Sequence, residues 1–231
     1  MVAEPLHVAV AANFAPPMHQ IAQQFEQDTG FQLRTTFGST GKLTAQIQNG
    51  APFALLLAAD DTTCGKLEQT GLALSGSRRL YATGKLVLWS PQPDLVDAHG
   101  EVLKTGRFTH LALAAPKLAP YGTAAMETLQ TMGLLETLRP RFVQGENIAQ
   151  TYQFVLSGNA QLGFVALSQI HQAGNIQKGS AWIIPDGWYR PLRQEAVILH
   201  HGRTHPAALP FLEFLTGARV QRLIQDFGYI P

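Results

Sequence analysis

The 231-residue chain has one cysteine, Cys64, and that scarcity rules out a disulfide framework and any cysteine-based metal cluster. Charge is also sparse, at 14% of residues with a formal net charge of +1, and no run of like charges occurs. A nucleic-acid binder normally carries a basic face or tail, so no nucleic-acid partner is expected. No apolar stretch approaches the length of a membrane span; the longest, from Phe53 to Ala59, suits a buried strand. Walker, GxGxxG and GxSxG motifs are all missing, which removes the commonest nucleotide-binding and serine-hydrolase signatures. The first residues, Met-Val-Ala-Glu-Pro-Leu, lack the basic and apolar regions of a signal peptide. A cytosolic start and a start placed where a leader was cut away both fit.

What is present is the composition of an ordinary globular protein, 45% hydrophobic, in a β-α rhythm. His7–Ala12 reads as a strand, and Met18, Ile21, Ala22 and Phe25 follow at helical spacing up to Gly30. A strand ends at Phe37, a helix closes at Gly50, and Phe53–Ala58 reads as a strand buried on both faces. Asp60 and Asp61 are placed as caps of a short helix carrying Cys64 and Leu67. Leu80–Ser90 is a long strand with Gly84 in its middle, the mark of a bulge or bend. A second β-α run covers His110 to Gln172, strands are expected at Trp182–Pro185 and Glu195–Leu199, and two helices close the chain. Short connections in this order build parallel sheets. The expectation is an α/β protein of two lobes, residues 1–82 with 198–231 and residues 83–197. Two long strands cross between them as a hinge, with a cleft that closes on a ligand.

Four turns stand where a strand hands over to a helix: at Asn13, at Ser39-Thr40 within Gly38-Ser39-Thr40-Gly41, at Tyr121, and at Asn147-Ile148. Such positions lie beyond the carboxyl ends of parallel strands, where ligands collect and unpaired amides emerge. Each helix start carries roughly half a positive charge, so four converging starts balance about a dianion with no lysine or arginine. Taken alone, a Gly-Ser-Thr-Gly turn is more often plain N-capping, and the ligand reading gains weight from the repetition of the arrangement at the other three turns. Lys42 is expected in solvent, and Glu146 at its helix start or facing water.

Other candidates have ordinary explanations beside the functional ones. Cys64 is a possible nucleophile or a structural thiol, and no histidine forms a recognisable motif with it. His200 and His201 would face opposite sides of a strand, which with His205 beyond a turn makes a poor metal site. Trp182 and Trp188 read as packing residues, with Trp188 and Tyr189 as possible edges of the cleft.

In Ala12-Asn13-Phe14, Gly38-Ser39-Thr40-Gly41 with Leu43-Thr44-Ala45-Gln46-Ile47, Asn49-Gly50-Ala51-Pro52, Ala58-Ala59-Asp60, Tyr81–Ser90, Ala119-Pro120-Tyr121-Gly122, Leu162–Leu167 and Phe227-Gly228-Tyr229, the chain resembles the periplasmic molybdate-binding proteins. The resemblance spans essentially the whole length. It implies a type II periplasmic-binding-protein fold with mixed, mainly parallel sheets and a two-strand hinge, and a monomer in the periplasm. It also implies no enzymatic activity and no cofactor, with molybdate or tungstate as ligand for a membrane permease of an ABC transporter. Carried over by residue, it makes Thr40 and Ser39 hydroxyl and amide donors, Asn13 a side-chain donor, and Tyr121 and Ile148 backbone N–H donors. Ala12 stands where relatives have a hydroxyl residue, so only its amide serves. Ala166 stands where some members place a ligand-reaching tyrosine, a space Tyr121 is expected to fill. Molybdate and tungstate are nearly the same size and are not distinguished. An effector-sensing domain for another tetrahedral oxyanion such as sulfate is the alternative reading, and an enzyme attaching substrate to Cys64 a third.

Overall fold

Residues 4–230 are described by a computed structural model, and they divide into two compact units. Unit 1 comprises the chain up to Thr83, then Arg193–Gln225 and Ile230; unit 2 comprises Gly84–Leu192 and Asp226–Tyr229.

In unit 1 the order is β1 (Leu6–Ala11), α1 (Ala15–Thr29), β2 (Leu33–Gly38), α2 (Thr40–Gln48), β3 (Leu55–Leu57), α3 (Thr62–Gln69) and β4 (Arg79–Gly84). Pro16 and Pro17 sit in the first turn of α1, where the N–H that proline lacks has no helical acceptor. Met18, Ile21 and Phe25 give α1 its buried face, and the Phe25 ring meets Phe211 edge-on at 5.2 Å. β1 pairs in parallel with β2, Ala11 opposite Gly38, and with β3, Val10 opposite Leu57. The three strands therefore end side by side. Leu43, Ile47, Leu56, Cys64, Leu67 and Val197 fill the core beneath α2 and α3.

Unit 2 holds β5 (Leu86–Ser90), α4 (Val102–Thr105), β6 (Leu111–Ala114), α5 (Pro120–Thr131), α6 (Leu135–Leu138) and β7 (Phe142–Gly145). There follow α7 (Ile148–Leu156), β8 (Leu162–Ala166), the short hairpin β9 (His171–Gln172) and β10 (Asn175–Ile176), and β11 (Ser180–Ile183). The sheet order is β11-β5-β8-β6-β7. β6 runs parallel to both β7 and β8, while β5 is antiparallel to β8 and to β11. Val87, Trp89, Ala112, Val155 and Val165 form one of its buried clusters.

The chain returns to unit 1 in β12 (Leu192–Ile198) and ends with α8 (Ala208–Thr216) and α9 (Ala218–Asp226). The unit 1 sheet has the order β2-β1-β3-β12-β4, so both sheets are mixed. Three features differ from the sequence expectation. The run Leu80–Ser90 is two strands, β4 and β5, each in its own sheet, and the change of unit falls at Thr83/Gly84. The return falls at Leu192/Arg193 and not at 198, because Ala196–Ile198 pair with Leu55–Leu57 of β3. Residues 226–229 belong to unit 2, where Asp226 O accepts from Ala173 N at 3.0 Å and the Tyr229 hydroxyl lies 3.1 Å from Ser168 Oγ.

Candidate functional site

In unit 1 the ends of β2, β1 and β3 deliver Ser39-Thr40, Ala12-Asn13 and Ala58-Ala59 to one edge of the sheet. Ser39 is the N-cap of α2: its backbone is extended and its hydroxyl accepts from Lys42 N at 3.4 Å. That bond occupies one first-turn amide and leaves the N–H groups of Thr40 and Gly41 ahead of the first carbonyl that α2 could offer them. Thr40 is buried, and its Oγ1 accepts from Ala59 N at 3.0 Å. A hydroxyl that accepts with one lone pair still has its hydrogen to donate. The turn is thus tied to the neighbouring strand end.

Ala12, Asn13 and Phe14 make a buried 3-10 turn between β1 and α1. The Asn13 side chain is a more constrained donor than expected: its Nδ2 donates to Gln194 Oε1 at 2.8 Å, and both residues are buried. The Tyr81 hydroxyl stands 3.0 Å from Gln194 Oε1 and 3.0 Å from Ala58 O. Sequence reasoning did not single out Gln194. Its only local signal is an amide within an otherwise apolar-alternating strand.

Unit 2 presents the ends of β6, β7 and β8 in the same way, with Ala114 opposite Gly145. α5 starts at Pro120, which has no N–H, while Gly122 N and Thr123 N both bond back to Ala119 O. The carbonyl of Ala119 thus takes the two amides that follow Tyr121. Gly122 is required here: a Cβ would lie 2.1 Å from Ala114 O, so only glycine lets α5 start this close to β6.

At α7 the N-cap Asn147 accepts with Oδ1 from Ala149 N and Gln150 N, each at 3.0 Å. Thr151 N bonds to Asn147 O, so Ile148 N is the amide that this cap leaves over. The Gln150 side chain accepts from Glu146 N at 2.6 Å and fixes the approach to the helix. Gln169, also missed from the sequence, bonds Ile148 O through Nε2 at 3.0 Å and Ala166 N through Oε1 at 2.9 Å. It ties the start of α7 to the end of β8. Lys42 and Glu146 are both exposed.

The remaining candidates resolve into structural roles. Cys64 is buried, its Sγ donates to Glu195 O at 3.4 Å, and burial, with the charge of Glu195 second, pushes the thiol far up. A thiol so held is neither a thiolate nor accessible to substrate. Of the two aspartates before α3, Asp60 does the capping, taking Thr62 N and Thr63 N at 3.0 and 2.7 Å. Asp61 makes no cap bond, and its carboxylate lies 3.5 Å from Arg193 Nε. His200 and His201 occupy a 3-10 turn, not a strand, and His205 Nε2 bonds to Glu4 O at 2.9 Å. Among the described residues no group of three or more His, Cys, Asp or Glu is placed to hold a metal ion. Trp182 and Trp188 pack edge-to-face at 5.5 Å, and the buried Tyr189 hydroxyl accepts from Leu86 N at 3.1 Å.

Each α/β unit places helix starts beyond the carboxyl ends of its parallel strands, the arrangement in which an open α/β sheet binds a ligand. Residues 6–230 match the family model of the bacterial extracellular solute-binding proteins, and the chain belongs to that family. Within it, the chain is 52% identical to the molybdate-binding protein ModA of Azotobacter vinelandii, over 97% of this chain and 89% of that protein. It is 44% identical to the ModA of Rhodobacter capsulatus, over 96% of this chain and 86% of that one. The solved periplasmic molybdate-binding protein of A. vinelandii superposes with a TM-score of 0.95 at 41% identity, covering 98% of this chain and 99% of that one. The periplasmic-binding-protein fold expected from the sequence is the fold observed.

Proposed function

We propose that this chain is the solute receptor of a molybdate transporter. It binds molybdate or tungstate reversibly outside the cytoplasm, in the periplasm, as a monomer, and delivers the oxyanion to an ABC permease. The proposed donors are Ala12, Asn13, Ser39 and Thr40 from unit 1 and Tyr121 and Ile148 from unit 2. The carrying observation is at α7, where Asn147 takes Ala149 N and Gln150 N with its side chain and Thr151 N with its carbonyl, so that Ile148 N is the first-turn amide this cap leaves over. The names of the relatives point to the same ligand.

Fixed neutral donors suit a fully ionised tetrahedral oxyanion. A protonated phosphate brings an O–H that finds no acceptor among amides and hydroxyls, at the cost of an unpaired buried polar group. Sulfate is fully ionised as well but smaller, so its oxygens fall short of donors spaced for molybdate. Calorimetry with molybdate, tungstate, sulfate and phosphate tests this reading, and saturation with a true ligand also raises the melting temperature by mass action. Binding of the first two alone is expected. A preference for sulfate would favour the effector-sensing alternative and overturn the transport reading.

A further inference from the structure

Gln194 is a fully buried polar side chain one residue after the chain re-enters unit 1. A buried carboxamide costs free energy unless its hydrogen bonds are made, and beside Tyr81 an apolar residue would fill the same space without that cost. The backbone around it is pinned on both sides. Arg193 faces Asp61, and Glu195 receives a two-pronged bond from Arg78 at 2.8 and 3.0 Å. Glu195 O in turn accepts from Ala58 N at 2.8 Å, which joins β12 to the end of β3. From this anchored point the Gln194 side chain reaches Asn13, 181 residues earlier in the chain, in the turn that follows β1.

We propose that Gln194 is a positioning residue for oxyanion binding. Its Oε1 fixes the Asn13 side chain, and through it holds the 12–14 turn so that the Ala12 and Asn13 amides face the ligand. The proposal rests on the molybdate reading and names the residue that sets half of the unit 1 donors.

The test is a double-mutant cycle on molybdate dissociation constants measured by calorimetry, with wild type, Gln194→Met, Asn13→Ala and the double variant. Gln194→Met keeps the volume and removes the acceptor, and it is expected to weaken binding about tenfold, the usual scale for a lost buried hydrogen bond. Because Gln194 acts through Asn13, the double variant should bind no more weakly than the weaker single one. Gln194→Glu is the second variant. It keeps an acceptor in the same place but adds a negative charge behind the turn, which repels the oxyanion until it is protonated, so its molybdate affinity should rise as the solution is made mildly acidic, while that of wild type stays flat over the same range. Additive losses in the cycle, or a Gln194→Met protein that melts earlier yet binds unchanged, would overturn the positioning role. So would a pH profile of Gln194→Glu that parallels wild type. Wild type failing to bind molybdate would instead overturn the oxyanion reading, and this role with it.

Discussion

Thr40 offers the sharpest separation of binding from folding, because its hydroxyl has two jobs. Oγ1 accepts from Ala59 N at 3.0 Å, and its hydrogen is the proposed donor to the oxyanion. Thr40→Val conserves shape and removes both. In the ligand-free protein it strands the buried Ala59 N–H, a loss of about 1–3 kcal/mol. For a chain of this size that corresponds to roughly 2–4 °C of melting temperature per kcal/mol. In the complex the variant also forfeits one hydrogen bond to a charged acceptor, about 1.5–3 kcal/mol, or roughly a 10- to 150-fold rise in Kd. Thr40→Ser keeps the oxygen and should recover most of both losses. Calorimetry gives the affinity, and urea titration of the ligand-free protein gives the stability. A Thr40→Val protein that is destabilised as stated but binds molybdate with wild-type affinity would refute the donor role and leave only the structural bond.

Three further outcomes are expected. Asn147→Ala removes the cap that holds Ala149 N and Gln150 N, so urea unfolding should show about 0.5–2 kcal/mol lost, with molybdate affinity falling alongside; unchanged stability would contradict the cap. Cys64 should resist thiol reagents in the native protein and react only on unfolding, since burial raises its thiol and Sγ is directed at Glu195 O; rapid native labelling would contradict that burial. Burial raises the Asp97 carboxyl, but N–H bonds from His99, Glu101 and Val102 outweigh it and hold the group below its usual range. With the folded value below the unfolded one, its stabilising contribution is present above the unfolded value and fades as pH falls through the folded one. Asp97→Asn should therefore flatten the acid limb of a melting-temperature profile, and an unaltered limb would argue against the effect.

The sequence was most informative where the physics is local. Helix starts are built from residues one to three positions apart, so Pro120 with Gly122, or Asn147 before Ile148, can be recognised from the chain alone. Parallel order follows from the β-α rhythm, and the structure bears it out in β2-β1-β3 and in β7-β6-β8. What could not be read depends on distant partners. Gln194 and Gln169 have no informative neighbours, and their meaning comes from Asn13 and Ile148, brought to them only by the folded sheets. Asp60 and Asp61 differ in role for the same reason: one meets the helix start beside it, and the other meets Arg193 from β12. The β9-β10 hairpin is too short and polar to register as a period.

This division explains why the proposed donor positions can be picked out although nothing about their side chains demands it. A ligand held by backbone N–H groups places no chemical requirement on the side chains at Tyr121 and Ile148. The requirement falls instead on the residues that shape the two helix starts. Pro120 contributes no N–H at the first helical position, and Asn147 takes the two amides after Ile148. Gly122 and Gly145 allow approaches that a Cβ would block, the second because it would sit 2.6 Å from Thr151 Oγ1. In unit 2, selectivity for an oxyanion is therefore expected to be more sensitive to Gly122→Ala or Asn147→Ala than to Ile148→Val, which leaves the same amide in the same cap.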